Sequence, residues 1–412
     1  MHIQAGRPTR CRFCDAPLTD SFVDLGKTPL SNAFIPPGQA QAEKFYELHA
    51  YVCGTCRLVQ LGQFETPQQI FGNYAYFSSY SETWLRHAER YTAAMMDRFG
   101  LGSGTQVVEI ASNDGYLLQY FQKRGVPVLG IEPAANVAEV ARAKGIPTDI
   151  AFFGTATAER LRAGGVAPTL IAANNVLAHV PDINDFVRGL AILLAPDGVI
   201  TLEFPHLQRL IEQTQFDTIY HEHFSYFSLL SAERILAHHG IDIFDVEELP
   251  THGGSLRLYA SHRNARPILP SVEALRVRER EGGLDREATY ADFAARVAAV
   301  RRAIRQFFAD AQRDGRRVAG HGAPAKGNTL LNHCGIGPDQ MPFTVDRSPH
   351  KQGLLLPGSH IPILPPDAVF KARPDFLFIL PWNLSEEIMH QMAEIRAWGG
   401  RFVVPIPQLV VL

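Results

Sequence analysis

Two paired cysteine motifs constrain the fold of the amino-terminal region most strongly. Four of the five cysteines occur as Cys11-x2-Cys14 and Cys53-x2-Cys56. Each pair can present two thiolates to one ion from a tight turn, and the two pairs together complete a tetrahedral four-cysteine zinc site. We therefore predict one structural zinc ion, with a redox dithiol or chance spacing as alternatives. The metal would stabilise a lobe too small to rely on its own core.

The chain is long enough for several hydrophobic cores. Its 412 residues exceed the roughly 250–300 at which a single core stops growing. Charged residues make up 20%, hydrophobic residues 46%, and the net charge is -3, which is an ordinary globular composition without a nucleic-acid footprint. No apolar run reaches the roughly 20 residues of a membrane helix, and residues 1–8 lack a signal-peptide core. We expect a cytoplasmic protein with two or three domains and neither nucleic-acid nor membrane partners.

The middle of the chain opens with a strand, a turn and a helix start. Residues 105–110 have a buried-strand pattern, and residues 111–115 form a turn of small and polar residues. This is the ligand-binding opening of an open parallel sheet. Ala111 and Asn113 stand where a GxGxxG motif would have glycines, which disfavours a dinucleotide. The candidate cofactor contacts of this segment are Glu109, Ala111, Asn113 and Gly115.

An acidic residue follows at the end of the second strand. Glu132 ends residues 128–131 and lies about 20 positions beyond the turn, where it can accept hydrogen bonds from ribose hydroxyls. A ligand with a ribose but no phosphate, such as S-adenosylmethionine, fits this pattern. Its adenine could lie against Phe152 and Phe153, although these rings could equally belong to the core.

Polar residues follow the next strand of this unit. Asn174, Asn175 and His179 come directly after residues 170–173, at the carboxyl end of a strand, where open sheets bind ligands. We predict Asn174 as a cofactor contact. For His179, a loop histidine satisfied by its neighbours is the alternative.

The run Thr218–Ser228 combines phenols, imidazoles and a carboxylate in a short aromatic segment. His221 and His223 would share one face of a strand, so a metal-binding pair is one possibility. Alternatively, one imidazole moves a proton near neutral pH while a carboxylate or phenol orients the ring. A buried polar aromatic patch without function is the third reading.

The carboxyl-terminal half repeats the strand, turn and helix pattern. A long charged helical stretch near residues 272–313 precedes residues 317–328, which contain a GxGxxA turn, and Asp346 ends the next strand. Taken alone, this is a dinucleotide fingerprint. Backbone amides near Gly322, helped by Lys326, would hold a diphosphate. A purely structural glycine-rich turn is the alternative.

Taken together, the motifs resemble those of the deoxysugar C-methyltransferases, which methylate C3 of nucleotide-linked 4-keto sugars. The resemblance runs over nearly the whole chain and rests on the four cysteines and on residues 109–116, 220–224 and 322–326. It implies an α/β fold in which a Rossmann-like class I methyltransferase domain is flanked by a small zinc lobe and a carboxyl-terminal Rossmann-like domain. We place the domains at residues 1–79, 80–263 and 264–412.

The same resemblance implies roles for individual residues. His223 would be the general base, and C3 of a nucleotide-diphosphate 4-keto-deoxysugar would receive a methyl group from S-adenosylmethionine. Tyr76, or Tyr74 in its place, would close the site. Members of the family differ at the position of His221, which has no assigned role. The remaining implied residues are Tyr220 and Glu222 beside the base, and Asn175, His179, Gly322, Lys326 and Asp346 around the substrate.

Two other functions are compatible with parts of this pattern. A nicotinamide-dependent nucleotide-sugar oxidoreductase would use Gly320, Gly322 and Asp346. A non-catalytic zinc-bearing protein that binds nucleotide-sugars would need no base. Titration with S-adenosylhomocysteine and NADH distinguishes the methyltransferase from the oxidoreductase.

Overall fold

The computed structural model describes residues 8–68, 72, 77–80 and 82–412, and its strands form three sheets. The strands are β1 (Asp20–Thr28), β2 (Tyr46–Val52), β3 (Val59–Leu61), β4 (Val107–Ile110), β5 (Val128–Ile131), β6 (Thr148–Asp149), β7 (Leu170–Asn174), β8 (Val199–Pro205), β9 (Ser225–Tyr226), β10 (Ile241–Leu249), β11 (Ser255–His262), β12 (Val318–His321), β13 (Thr344–Val345), β14 (Ile363–Leu364), β15 (Phe376–Ile379), β16 (Arg401–Val404) and β17 (Val410–Val411). The α-helices are Glu82–Phe99, Leu118–Gln122, Ala135–Ala143, Thr155–Ala163, Ile183–Leu193, Leu207–Glu212, Leu229–His238, Pro270–Glu281, Glu287–Ala291, Phe293–Arg313, Ala325–Cys334, Asp367–Ala372 and Ser385–Gln391.

The first sheet has the antiparallel order β1-β2-β3-β9. Its last strand, β9, belongs to the aromatic run, so that run is anchored to the zinc lobe. The glycine, proline and polar residues of the segment 25–32 predict a loop, but Leu25–Thr28 belong to β1 instead. The register of β1 shifts between Asp24 and Lys27, and Gly26 has a φ of +86°. This irregularity hides the strand's period in the sequence.

The second sheet confirms the predicted Rossmann-like methyltransferase domain. Its order is β6-β5-β4-β7-β8-β11-β10, parallel except that β11 pairs antiparallel with β8 and β10. The strand order reverses between β4 and β7. The loops that leave these two strands therefore diverge and open a crevice at the carboxyl edge of the sheet.

The third sheet has the order β14-β13-β12-β15-β16-β17 and is parallel up to β16. Its order reverses between β12 and β15, which opens a second crevice. The charged stretch before it was predicted as one helical segment but forms three helices. The first of them ends before Gly282 and Gly283, and Gly283 has a φ of +80°, a left-handed conformation that interrupts a helix. The proposed domain limits after residues 79 and 263 stay predictions.

Packing joins the aromatic run to both neighbouring sheets. Phe22 of β1 stacks on Phe293 with ring centroids 4.4 Å apart. From the helix after β12, Asn328 Nδ2 donates to the carbonyl of Ser31 at 2.6 Å, and Thr329 Oγ1 donates to the carbonyl of Ile219 at 3.1 Å. The helix Ala325–Cys334 thus contacts both the segment around Ile219 and the amino-terminal lobe. Across the part of the chain that the structure describes, no helix is both long enough and apolar enough to cross a membrane.

Candidate active site

A cavity of about 1430 Å³ lies where both crevices meet the aromatic run. The predicted site residues that line it are Ala111, Asn113, Glu132, Phe152, Phe153, Asn174, Asn175, His179, Tyr220, Glu222, His223 and Lys326. Tyr74 and Tyr76 lie outside the described residues. The cavity therefore collects most of the predicted groups from segments that are far apart in the chain.

The turn after β4 is shaped by the carboxylate of Glu132. Glu132 Oε2 accepts the N–H of Asn113 at 2.9 Å, and Oε1 accepts the N–H of Ala134 at 2.8 Å. Ala111 and Asn113 have φ values of 56° and 49°, so they take the left-handed conformation that glycine adopts more readily. The backbone thus keeps the turn that the sequence pattern predicted, although two of its glycines are replaced.

Two residues predicted as cofactor contacts do not line the cavity. Glu109 is buried within β4, and burial raises its pKa well above the usual value. Gly115 has a φ of +77°, and a Cβ there would lie 2.3 Å from Ile146 Cδ1. Both positions are determined by packing behind the turn rather than by contact with the cavity.

Polar and aromatic groups form the rest of the end predicted to bind the cofactor. Phe152 is 37% exposed, and Phe153 packs edge-on against Phe186 with ring centroids 5.4 Å apart. Asn174 is buried at the end of β7, and its Oδ1 has no hydrogen-bond partner among the residues that the structure describes. A buried acceptor without a partner is costly, so this oxygen fits a ligand donor.

The imidazole of His223 is oriented by two hydrogen bonds. Nδ1 donates to the carbonyl of Thr218 at 3.0 Å, and Nε2 lies 2.9 Å from the hydroxyl of Tyr220. Because a carbonyl only accepts, the proton of the neutral ring is on Nδ1 and the lone pair is on Nε2. Burial lowers the pKa of His223 well below its usual value. The ring is therefore neutral at neutral pH, and the lone pair on Nε2 can accept a hydrogen bond from the Tyr220 hydroxyl.

A second imidazole lies against the first. His179 Nδ1 donates to the carbonyl of Glu222 at 2.7 Å, and the rings of His179 and His223 are 4.7 Å apart. Burial lowers the pKa of His179 to about 4. Its Nε2 is then an acceptor in the same region as the Tyr220–His223 pair. Asn175, also in the lining, has a φ of 55° and donates its N–H to the carbonyl of Glu203.

The carboxyl group of Glu222 is held by the amino-terminal lobe. Asn32 Nδ2 donates to both of its oxygens at 2.8 Å. Burial raises the pKa of Glu222 to about 7, so the carboxyl group can be protonated or ionised under neutral conditions. The sequence reasoning did not identify Asn32, which sits in an irregular loop.

The histidine pair suggested by the spacing does not form. The chain turns at His221 and Glu222 rather than continuing as a strand. His221 Nε2 donates to the carbonyl of Glu47 at 3.1 Å, and its ring packs against Tyr46 and Phe64. Thus His221 faces the first sheet while His223 faces the cavity.

The third sheet contributes lysines to the cavity. Lys326 Nζ donates to Asn383 Oδ1 at 2.8 Å and lies 4.4 Å from the Trp382 ring centroid. Removal from solvent lowers the pKa of Lys326 to about 8. Lys351, which the sequence reasoning missed, also lines the cavity and donates to the carbonyl of Ala323 at 2.9 Å.

Gly322 and Asp346, predicted as substrate contacts, do not line the cavity. Gly322 has a φ of +91°, and a Cβ there would lie 2.5 Å from Pro381 Cδ. Asp346 Oδ2 accepts the N–H of Ala323 at 2.8 Å. Both residues shape the turn from which Lys326 projects. Trp84 and His252 also line the cavity, and no motif in the sequence pointed to either.

The four cysteines of the first lobe form a compact cluster. Their sulfur atoms all lie within 4.8 Å of one another, and the pairs Cys11–Cys56 and Cys14–Cys53 are 3.5 Å apart. A tetrahedral zinc site with Zn–S bonds of about 2.3 Å has sulfur–sulfur edges of about 3.8 Å. Gln60 Nε2 also donates to Cys11 Sγ at 3.2 Å. The cluster therefore fits one zinc ion.

Comparison with known proteins identifies the family. Residues 11–71 match a family model described as "Putative zinc binding domain", residues 84–246 a "Methyltransferase domain", and residues 250–407 a "C-methyltransferase C-terminal domain". The C-methyltransferase NovU of Streptomyces niveus is 38% identical over 97% of this chain and 95% of its own. The chain belongs to the C-methyltransferase family. This confirms the family expected from the sequence, and with it S-adenosylmethionine and zinc as the cofactors.

Other similarities of this C-methyltransferase cover only parts of it. A ubiquinone biosynthesis O-methyltransferase of a Methylobacterium species is 31% identical over 24% of this chain and 39% of that protein. Among solved structures, magnesium protoporphyrin IX methyltransferase of Synechocystis with bound SAM is 16% identical, covers 44% of this chain and 79% of that chain, and has a TM-score of 0.34.

Two buried carboxyl groups of the C-methyltransferase allow a matched test of the cofactor end. Glu132→Ala is expected to raise the dissociation constant for S-adenosylhomocysteine about 100-fold, because two hydrogen bonds to a charged acceptor contribute about 3 kcal/mol. Glu109→Gln is expected to change it little, since Glu109 is buried behind the turn and does not line the cavity. Isothermal titration calorimetry measures both constants. Equal weakening by both variants would contradict the placement of the ribose at Glu132.

Proposed function

We propose that this C-methyltransferase methylates the carbon next to the ketone, C3, of a nucleotide-diphosphate 4-keto-deoxysugar, with His223 as the general base. The observation that carries the proposal is the Tyr220–His223 pair, whose Nε2 lone pair lies in a cavity shared by the loops of two sheets. The loops of the second sheet suit a nucleoside, and the loops of the third sheet suit a diphosphate.

The size and charge of the cavity support two ligands side by side. Its volume of about 1430 Å³ exceeds the roughly 300–1000 Å³ of an ordinary ligand pocket. The end of the cavity formed by the second sheet has Glu132 and Asn174 Oδ1, which has no partner among the described residues; these groups suit ribose hydroxyls and amino groups. The third-sheet end has Lys326 and Lys351, which suit a diphosphate. A substrate spanning from the lysines to His223 would place its sugar between the two ends.

The residues around His223 suit removal of a proton from carbon. A proton next to a ketone is acidic because its electron pair can move into the carbonyl and form an enolate, and a neutral imidazole can accept that proton. The Nδ1–H···O bond from His223 to the carbonyl of Thr218 keeps the lone pair on Nε2. The Tyr220 hydroxyl, which lies against Nε2, can either move aside or relay the sugar's proton to Nε2. S-Adenosylmethionine supplies an electrophilic methyl group for the enolate carbon.

The nearby polar groups hold the reactants in position. Glu222, fixed by Asn32, and His179, fixed by the Glu222 carbonyl, form the wall beside the base. We assign Asn175 and His179 to the sugar, and Tyr76 to closure of the site. Holding the acidic carbon in line with the methyl group provides most of the entropic advantage of such a reaction.

No observation favours the nicotinamide-dependent alternative. In that reading Asp346 would bind a ribose, but its carboxylate accepts the N–H groups of Ala323 and Ser348 and does not line the cavity.

A substrate panel tests the proposed function. Incubation with S-adenosylmethionine and a set of nucleotide-diphosphate 4-keto sugars is expected to give products heavier by one methyl-for-hydrogen exchange, with the new methyl group on C3. Mass spectrometry and NMR of the isolated sugar measure this. The matching 4-hydroxy sugars are the control, because without the ketone no enolate forms and no product is expected. Methylation of the hydroxy sugars, or of oxygen rather than carbon, would refute the proposal.

A further inference from the structure

A third imidazole lies in the cavity and has no part in the function proposed so far. His252 lies between β10 and β11 and lines the same cavity as Tyr220, His223 and Lys326. Its ring packs against Trp84, with centroids 5.4 Å apart. Within the described part of the chain, its two ring nitrogens have no hydrogen-bond partner. They are therefore available to a ligand.

The backbone that presents His252 is strained. Its φ is 57° and its ψ is 14°, and the following Gly253 and Gly254 have φ values of 92° and 115°. All three residues thus have positive φ values, but only His252 has a Cβ. The left-handed conformation costs a histidine conformational energy that glycine or asparagine would largely avoid. Strain of this kind persists where the surroundings enforce it, and it is concentrated at functional sites.

The surroundings do enforce this conformation. A Cβ at Gly253 would lie 2.5 Å from the Trp382 ring, and one at Gly254 would lie 2.8 Å from Arg209 Cγ. Gln215 Nε2 also donates to the carbonyl of Gly253 at 2.7 Å. The loop is thus pressed between the second sheet and Trp382, the residue that packs on Lys326. This packing holds His252 in the wall of the cavity, beside Trp84.

The position of His252 suits a hydrogen-bond donor to a developing oxyanion. Its ring is close enough to affect the pKa of His223, and the charges of Lys326 and Glu203 act on it in turn. Burial lowers the pKa of His252 to about 4, so the ring is neutral and carries one N–H. A neutral imidazole N–H can polarise a ketone without giving up its proton.

We propose that His252 is a further catalytic residue, which donates a hydrogen bond to the ketone oxygen as it becomes the enolate oxygen. This inference rests on the proposed function. When the base takes the proton, the C–H electron pair forms the carbon–carbon double bond and the carbonyl pair moves to oxygen. The N–H of His252 stabilises that charge and stays on the ring. When the enolate carbon bonds to the methyl group, the carbonyl forms again, the sulfur–methyl bond breaks with its electron pair staying on sulfur, and S-adenosylhomocysteine is the leaving group.

The strained backbone provides a discriminating test. His252→Gly removes the imidazole and relieves the strain, so the midpoint of thermal unfolding is expected to stay unchanged or rise. Methyl transfer and exchange of the C3 hydrogen with deuterated water are both expected to slow about 100-fold, the effect of losing an oxyanion donor. The affinity for S-adenosylhomocysteine is expected to be unchanged. His252→Asn, which tolerates the left-handed backbone and keeps an N–H, is expected to retain more activity than His252→Gly.

A second left-handed residue supplies the matched control. Asn264 is exposed, has a φ of 60° and does not line the cavity, so Asn264→Gly makes the same backbone change outside the lining and is expected to leave both rates unchanged. Wild-type rates in His252→Gly, or equal slowing in Asn264→Gly, would overturn the role of His252. If the wild-type enzyme methylates no nucleotide keto sugar, the proposed function fails first. An active wild type with a fully active His252→Gly variant rejects His252 alone.

Discussion

Replacement of His223 by asparagine is expected to lower kcat for methyl transfer about 1000-fold while the affinity for S-adenosylhomocysteine changes little. A general base contributes about 10²–10⁴-fold to the rate of such a proton transfer, and an amide cannot accept the proton. The lone pair on Nε2 faces Tyr220 within the cavity. Exchange of the sugar C3 hydrogen with deuterated water, measured by NMR with S-adenosylhomocysteine bound, isolates this step from methyl transfer. The exchange is expected to stop in the His223→Asn variant.

His221 offers a matched control in the same turn. Its ring is buried like that of His223, but it donates to the carbonyl of Glu47 and does not line the cavity. His221→Asn is therefore expected to keep the rates of exchange and methylation of the folded enzyme, although its thermal stability should fall. Exchange at the wild-type rate in His223→Asn would remove that residue from the base role, and equal losses in both variants would mean that only the fold of the turn matters.

Replacement of Cys53 by alanine is expected to remove the zinc ion and to destabilise the first sheet strongly. Zinc binding contributes roughly 10 kcal/mol or more in small zinc-dependent peptides. Cys53 follows β2, and the adjacent β3 pairs with β9 of the aromatic run. The loss should therefore extend to the active site. Metal analysis is expected to find one zinc ion per wild-type chain and none in Cys53→Ala, with a lower unfolding midpoint and a lower kcat.

The fifth cysteine serves as the control for this substitution. Cys334 is fully buried in the carboxyl-terminal core and is not part of the sulfur cluster. Cys334→Ala is expected to retain one zinc ion per chain and to lose only the modest stability of a small cavity. Folded wild-type protein without zinc, or stoichiometric zinc in Cys53→Ala, would contradict the four-thiolate site.

The elements that were predicted accurately have strong local patterns. An apolar stripe of helical period predicts a helix over residues 82–99, and a buried apolar run predicts a strand over residues 128–131. The helix Glu82–Phe99 and the strand Val128–Ile131 have these limits, because each pattern is visible in a short window. The failures have non-local or irregular causes. Leu25–Thr28 were not recognised as strand because a shift in register interrupts β1. The charged stretch near residue 282 was not divided because its two glycines were not read as a helix end.

The site was predictable where a side chain follows a strand end and unpredictable elsewhere. Glu132 and Asn174 follow strands of a parallel sheet, whose carboxyl ends meet at one edge, and both line the cavity. Gly322 had a recognisable motif, but its environment makes it a packing residue. His252 and Lys351 were not predicted, because their place in the cavity depends on contacts that are remote in the chain: Gly253 beside His252 packs on Trp382, and Lys351 donates to Ala323.

The sequence by itself determined the kinds of chemistry available to this C-methyltransferase and their order along the chain: four zinc ligands, a turn suited to a nucleoside, a run of proton-transferring groups and a lysine after a glycine-rich turn. Only the tertiary structure decided which of these groups face one another. It directs His223 into the cavity and His221 away from it, and it brings His252 alongside. The physical reason is that residue identity sets what a side chain can donate or accept, whereas its direction is set by packing against segments far away in the chain.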